Sequence, residues 1–284
     1  YAFFNKCISM KRKSFVFDSH SLSYLDFGGK FKKTIFLTHA NGYSGGCYLY
    51  LLEELAKTHR VIALDFTGHG NSEPFFGFQN WYYFRDQILA LIEKESLKEI
   101  VGIGHSLGGA SLLLAASKKP EIFSKIIAFD PVVLDFFRIS YVKIFGNPLA
   151  IGAKNRRKIF KNIEFIRKIY KKFPAFSKWD NRVFEDYLKF CFKKSNSEIQ
   201  LCCDPEIETK IFNMTKYSTL IEYSKIKTET HLIYPKKYEV CPPGTARKIT
   251  RGNQKSTVTE LENASHFFPF ESPKWTLDKV KSLL

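Results

Sequence analysis

Gly102-Ile-Gly104-His105-Ser106-Leu107-Gly108-Gly109-Ala110 is the stretch from which the architecture of this chain can be read. An apolar run, Glu99-Ile-Val-Gly-Ile, leads into it, and a small-residue helical run, Ala110-Ser-Leu-Leu-Leu-Ala-Ala, leads out. The pattern is G-x-S-x-G between a strand and a helix, the arrangement of a nucleophile elbow. A serine on so sharp a turn takes a strained backbone conformation, so the residues two places away on either side must lack bulk. Gly104 and Gly108 meet that demand. The turn lifts Ser106 above the sheet edge, and the helix N-terminus beneath it offers free N–H groups to a developing oxyanion.

Outward from the elbow, short apolar runs alternate with helical periodicities. Lys13–Phe17 and Ser21–Phe27 alternate at period two and read as an antiparallel hairpin or a pair of edge strands. Lys33–His39, Arg60–Asp65 and Lys125–Asp130 read as buried strands, while Cys47–Lys57 and Trp81–Glu95 carry helical spacing. Strands and helices of about ten residues in alternation imply a mostly parallel sheet covered on both faces, an α/β fold.

The rhythm breaks over 131–227 and resumes with Thr230–Tyr234, a helix near Gly244–Thr250, the strand Ser256–Leu261 and a final helix over Ser272–Leu284. The expected organisation is a core built from 1–130 and 228–284 with a helical cap inserted over 131–227. Within the insertion, Ile159, Ile163, Ile166, Tyr170 and Phe173 fall on one predicted helical stripe over 154–173. Lys and Arg side chains surround that stripe. They read as a solvated face or, more sharply, as a basic surface for an anionic membrane or an anionic acyl substrate.

A serine nucleophile needs a base, and the base needs an orienting acid. His266, on the loop after the last predicted strand, is the expected base; the alternative is an ordinary surface histidine. Glu239, in the loop after Thr230–Tyr234, is the expected acid, with Asp130 and Asp135 as rivals at the end of the preceding strand and the start of the cap. Oxyanion donors are expected from the amide of Leu107 and from the loop His39-Ala40-Asn41-Gly42, with Asn41 preferred over Ala40. Asp65 and His69 are expected to brace the Gly68–Gly70 turn, and His105 to pack near the elbow.

These motifs together resemble the α/β-hydrolase family, in its ester- and lipase-like group. The elbow, His39-Ala-Asn-Gly42, Asp65-Phe-Thr-Gly-His-Gly-Asn-Ser72 and His266-Phe-Phe-Pro-Phe-Glu-Ser-Pro273 carry the resemblance over nearly the whole core. It implies a serine-hydrolase mechanism with Ser106, Glu239 and His266 as the triad, no cofactor, and a pocket between cap and core for a small-molecule ester. Carbon–carbon bond or thioester hydrolysis, acyl transfer, and a non-catalytic binding protein on the same scaffold remain open. The chain departs from the family in Ala40, where glycine is frequent, in a glutamate where aspartate is commoner, and in a cap that matches no subgroup.

The rest of the composition bounds the partners. The chain has 284 residues, 44% of them hydrophobic, enough to bury a large core. The 44 Lys and Arg against 28 Asp and Glu leave a net charge of +16. The lysines spread along the whole length, which favours a compositional origin, with anionic lipid or an acidic substrate as the second explanation. No nucleic-acid, nucleotide or metal motif accompanies the charge. Six cysteines without metal spacing read as reduced thiols. The N-terminus lacks the charged-then-apolar order of a secretory signal, and no apolar run is long enough to span a bilayer, so a cytoplasmic location is expected. The oligomeric state is left open.

Overall fold

The period-two alternation near the N-terminus becomes a hairpin, β1 (Lys11–Phe17) against β2 (His20–Asp26), paired antiparallel from Lys11↔Asp26 to Phe17↔His20. The structure is a computed structural model that describes residues 10–29 and 31–284. The stretch read above for a secretory signal falls mostly outside the described residues, as does Cys7.

After the hairpin come β3 (Thr34–Thr38), α1 (Leu49–Leu55), β4 (Arg60–Leu64), α2 (Tyr82–Lys94), β5 (Ile100–His105), α3 (Leu107–Lys118) and β6 (Phe123–Phe129). The segment between β6 and the next sheet strand follows, as α4 (Phe136–Phe145), α5 (Pro148–Lys154), β7 (Ile159–Phe160), α6 (Ile163–Tyr170), α7 (Pro174–Ser177) and α8 (Asn181–Phe190). It continues through β8 (Phe192–Ser195), β9 (Glu198–Leu201), α9 (Pro205–Phe212) and α10 (Ser218–Ser224). The chain then rejoins the core with β10 (Thr230–Pro235), α11 (Pro243–Thr250), β11 (Thr257–Leu261), α12 (Phe268–Glu271) and α13 (Pro273–Leu283).

Eight strands form one sheet in the order β1-β2-β4-β3-β5-β6-β10-β11, parallel from β4 to β11. Its central strands are buried along their whole length because successive side chains enter different cores. Phe36, Ile62 and Leu64 join the apolar cluster under α2 and α3, where Ile88, Leu91 and Leu112 lie. Ile35, Leu37, Val61 and Ala63 join the opposite cluster with Leu52 of α1 and Leu277 and Val280 of α13. This is an α/β fold with a mostly parallel sheet sandwiched by helices.

The segment between β6 and β10 departs from the helical reading. Besides seven helices it holds a three-stranded antiparallel sheet in the order β7-β9-β8. Asn196, in the tight turn between β8 and β9, has φ 53°, a left-handed conformation that asparagine tolerates well. The single helix predicted over 154–173 is also broken. The chain leaves α5 at Lys154, pairs as β7, and starts a new helix at Asn162, whose side chain accepts a hydrogen bond from the Phe165 amide. Ile166 and Tyr170 are buried as the stripe requires, but Ile159 and Phe173 are exposed. The stripe continued a 3.6-residue period through a capping residue that restarts the helix.

Candidate active site

Ser106 stands between β5 and α3 with φ 55° and ψ −116°, a strained conformation for a residue with a side chain. The neighbouring glycines make that turn possible. A Cβ on Gly104 would lie 2.6 Å from the Gly109 nitrogen, and one on Gly108 would lie 2.4 Å from the Thr38 carbonyl oxygen. Both clashes are with backbone, which cannot swing away. The Ser106 amide donates to the Phe129 carbonyl at 3.0 Å, fixing the elbow to the end of β6.

That contact sets which carboxylate enters the site. β6 is the strand paired directly with β5, with His105 opposite Phe129, so the residue after Phe129 emerges beside Ser106. It is Asp130, 1% exposed. His266, on the loop after β11, points Nδ1 at Asp130 Oδ2 at 2.6 Å. The expectation that Glu239 orients His266 is therefore corrected. Glu239 lies on an exposed turn beyond β10, one strand further from the elbow, and has no side-chain hydrogen bond among the described residues. Asp135, the other rival, caps α4 by accepting from the Arg138 amide. The cue for Asp130 in the sequence was its position as the first residue after a fully apolar strand end, Ile-Ile-Ala-Phe.

Burial pushes the Asp130 carboxyl above its ordinary range; the bond to His266 opposes this, and the nearby charge of Glu239 adds to it. Its second oxygen, Oδ1, is buried without a partner, which leaves the histidine contact as its main compensation. The polar partners of His266 are Asp130 and His105, so its Nε2 is unpartnered among the described residues. No hydrogen bond joins Ser106 Oγ to His266 in this structure; nucleophile–base contacts of ligand-free sites are often loose in this way.

The loop His39–Gly42, expected to supply an oxyanion donor, is held by its neighbours so that one amide stays uncommitted. The Ala40 N–H donates to Tyr48 Oη at 3.2 Å, and the Gly42 N–H donates to His69 Nε2 at 3.0 Å. The Asn41 side chain donates to the Glu208 carbonyl of α9 at 3.0 Å. The Asn41 amide itself has no acceptor among the described residues, and Leu107 opens α3, where backbone N–H groups have no intrahelical acceptor. Asp65 accepts from the Asn71 amide at the end of the Gly68–Gly70 turn at 3.3 Å, and also from the Gly45 amide at 2.9 Å and from Arg12 at 2.8 Å.

His105 is more than packing. Tyr48 Oη donates to its Nδ1 at 2.8 Å, and its Nε2–H donates to the His266 carbonyl at 2.9 Å. The chain Ala40–Tyr48–His105–His266 thus ties the oxyanion loop to the backbone of the expected base. Above it, Tyr43 packs against Trp179 at 5.7 Å, Tyr187 at 5.6 Å and Phe267 at 5.9 Å, giving the site an aromatic wall shared by core and insertion.

The supporting histidines are neutral by construction. Burial lowers His39 from 6.5 to about 4 and His69 from 6.5 to about 3, and each uses Nε2 as an acceptor, from the Phe66 and Gly42 amides. The unfolded chain protonates these imidazoles first. Their contribution is therefore complete above the ordinary histidine value and is lost as pH falls below it. We expect the melting temperature to drop between pH 6.5 and about 4, with a slope of up to ~1.4 kcal/mol per pH unit for each histidine. Thermal unfolding across that window checks this, and a flat profile would contradict the neutral assignment.

Residues 35–279 match the description "Alpha/beta hydrolase family". The chain belongs to that family. Among curated relatives, this alpha/beta hydrolase is 20% identical over 232 residues to a putative esterase/lipase of Haemophilus influenzae, covering 81% of this chain and 75% of the relative. It is 28% identical over 103 residues to the Karrikin insensitive 2 receptor IA of Petunia hybrida, where the match spans only 38% of the relative and 35% of this chain. Among solved structures, E-2-(acetamidomethylene)succinate hydrolase superposes with a TM-score of 0.80 at 15% identity, covering 96% of this chain and 98% of that one. At that identity the likeness speaks for the fold alone.

Proposed function

We propose that this alpha/beta hydrolase is a serine hydrolase that cleaves a carboxylic ester through an acyl-enzyme on Ser106. The observation that carries the reading is the buried Asp130–His266 hydrogen bond beside the strained elbow serine. Ser106 Oγ attacks the acyl carbonyl while His266 Nε2 takes its proton. Asp130 holds Nδ1–H, which keeps the free nitrogen in its basic form and stabilises the imidazolium that forms. The amides of Leu107 and Asn41 receive the oxyanion, a role in which one donor is worth about 10²–10³ in turnover. His266 then returns the proton to the leaving alcohol, and a water activated by the same histidine releases the acid.

The substrate we infer is a small molecule with an apolar acyl group, supported by the aromatic wall of Tyr43, Trp179 and Phe267. In this reading the segment 131–227 acts as a cap over the site, and its basic surface contacts anionic membranes. A ligand-binding role without turnover is the second reading. It is favoured by the relative named as a receptor.

A fluorophosphonate probe is expected to label the native protein, and a panel of activated esters, matched thioesters and β-diketones to show fastest turnover of esters with apolar acyl chains. Labelling with thioester or diketone preference would keep the nucleophile and change the reaction. Ligand binding without labelling or turnover would favour the second reading.

A further inference from the structure

Two helices of the insertion turn their apolar side chains outward. In α4 the only buried residue is Ile139, while Phe137 is 81% exposed, Ile144 73% and Phe145 71%. On α5, Leu149 and Ile151 are also exposed, at 55% and 62%. A surface helix of a soluble protein ordinarily buries its apolar stripe, and contiguous exposed patches of this kind mark interaction surfaces.

Along the segment that carries the patch the charge has one sign. From 136 to 163 the chain carries seven Lys and Arg residues and no Asp or Glu. Arg138, Arg156 and Lys158 are paired with Asp135, Glu208 and Asp204. Lys143, Lys154 and Lys161 are exposed and have no carboxylate partner among the described residues.

We propose that the outer face of α4, with the start of α5 beside it in the chain, docks on an anionic lipid bilayer, with Phe137, Ile144 and Phe145 entering the headgroup boundary and Lys143 and Lys154 meeting lipid phosphates. An apolar face with a basic rim is the chemistry such a surface recognises. A second copy of the chain fits less well, because a two-fold contact would set this basic segment against itself. No helix among the described residues is long and apolar enough to cross a membrane, so the docking is peripheral. α4 starts at Phe136, a short loop after Asp130, so the docked helix is tethered close in the chain to the site. This deepens the ester reading, since it delivers substrates with apolar acyl chains from the membrane, but the docking itself needs no catalysis.

The test is flotation with vesicles of equimolar phosphatidylglycerol and phosphatidylcholine, against phosphatidylcholine alone. The native protein is expected to float with the anionic vesicles and to be released by high salt. The variant Phe137→Ser/Ile144→Ser/Phe145→Ser, which alters only exposed side chains, is expected to lose binding roughly tenfold or more. Lys143→Gln/Lys154→Gln is expected to weaken it in the same direction. Hydrolysis of a short soluble ester should be unchanged in both variants, so loss of flotation with hydrolysis intact separates this proposal from the ester reading. Equal flotation of the triple variant would overturn it. So would a native protein that ignores vesicles, including one whose self-association the triple variant abolishes.

Discussion

Ser106→Ala is expected to lower turnover of an activated ester by about 10⁶, with binding of the ester little changed. In the proposed mechanism the effect is large because the hydroxyl, the histidine and the carboxylate act as one unit, and removing the atom that forms the acyl-enzyme disables all three. The elbow should survive the change, since alanine keeps the Cβ already accommodated at φ 55°. Circular dichroism and the melting temperature should therefore match the native protein while fluorophosphonate labelling disappears. Persistent labelling of the alanine variant would exclude Ser106 as the nucleophile.

Asp130→Asn is expected to reduce kcat by about 10⁴ with a smaller effect on KM. An asparagine amide that donates to His266 Nδ1 would leave the proton on Nε2, where the base must be free. Stability should move the other way. Burial disfavours the charged carboxyl, and one of its oxygens has no partner, so the neutral isostere should melt at the same temperature or higher. Glu239→Gln should stay within about twofold of native, because Glu239 is exposed and a surface charge acts on the site only through screened electrostatics. The opposite pattern, with Glu239 essential and Asp130 dispensable, would require the β10 loop to rearrange when substrate binds.

The contrast between these two carboxylates shows how far the sequence can be read. The elbow was legible because its demands are local: a strand, a serine, two glycines at fixed offsets and a helix, all within a few residues. The central strands were legible for a similar reason, since burial on both faces leaves continuous apolar runs. The insertion was less legible. Its β8–β9 hairpin and the break between α5 and α6 depend on Asn196 and Asn162, each a single turn or capping residue inside a longer pattern that favoured helix. The outward apolar face of α4 was not legible at all, because a period reveals that a face exists and not what covers it.

The chain order of the proposed nucleophile and base, and the loops that carry them, follow from patterns of a few residues whose conformations are set by sterics and hydrogen bonding close by. Which carboxylate meets His266 does not. That choice rests on strand adjacency: β6 lies next to β5, the Ser106 amide is bonded to the Phe129 carbonyl, and Asp130 therefore emerges buried within reach of the imidazole. Neighbouring strands are related by hydrogen bonds between residues far apart in sequence, so the partner of His266 could be narrowed to a short set of candidates from the chain and was decided only by how the sheet assembles.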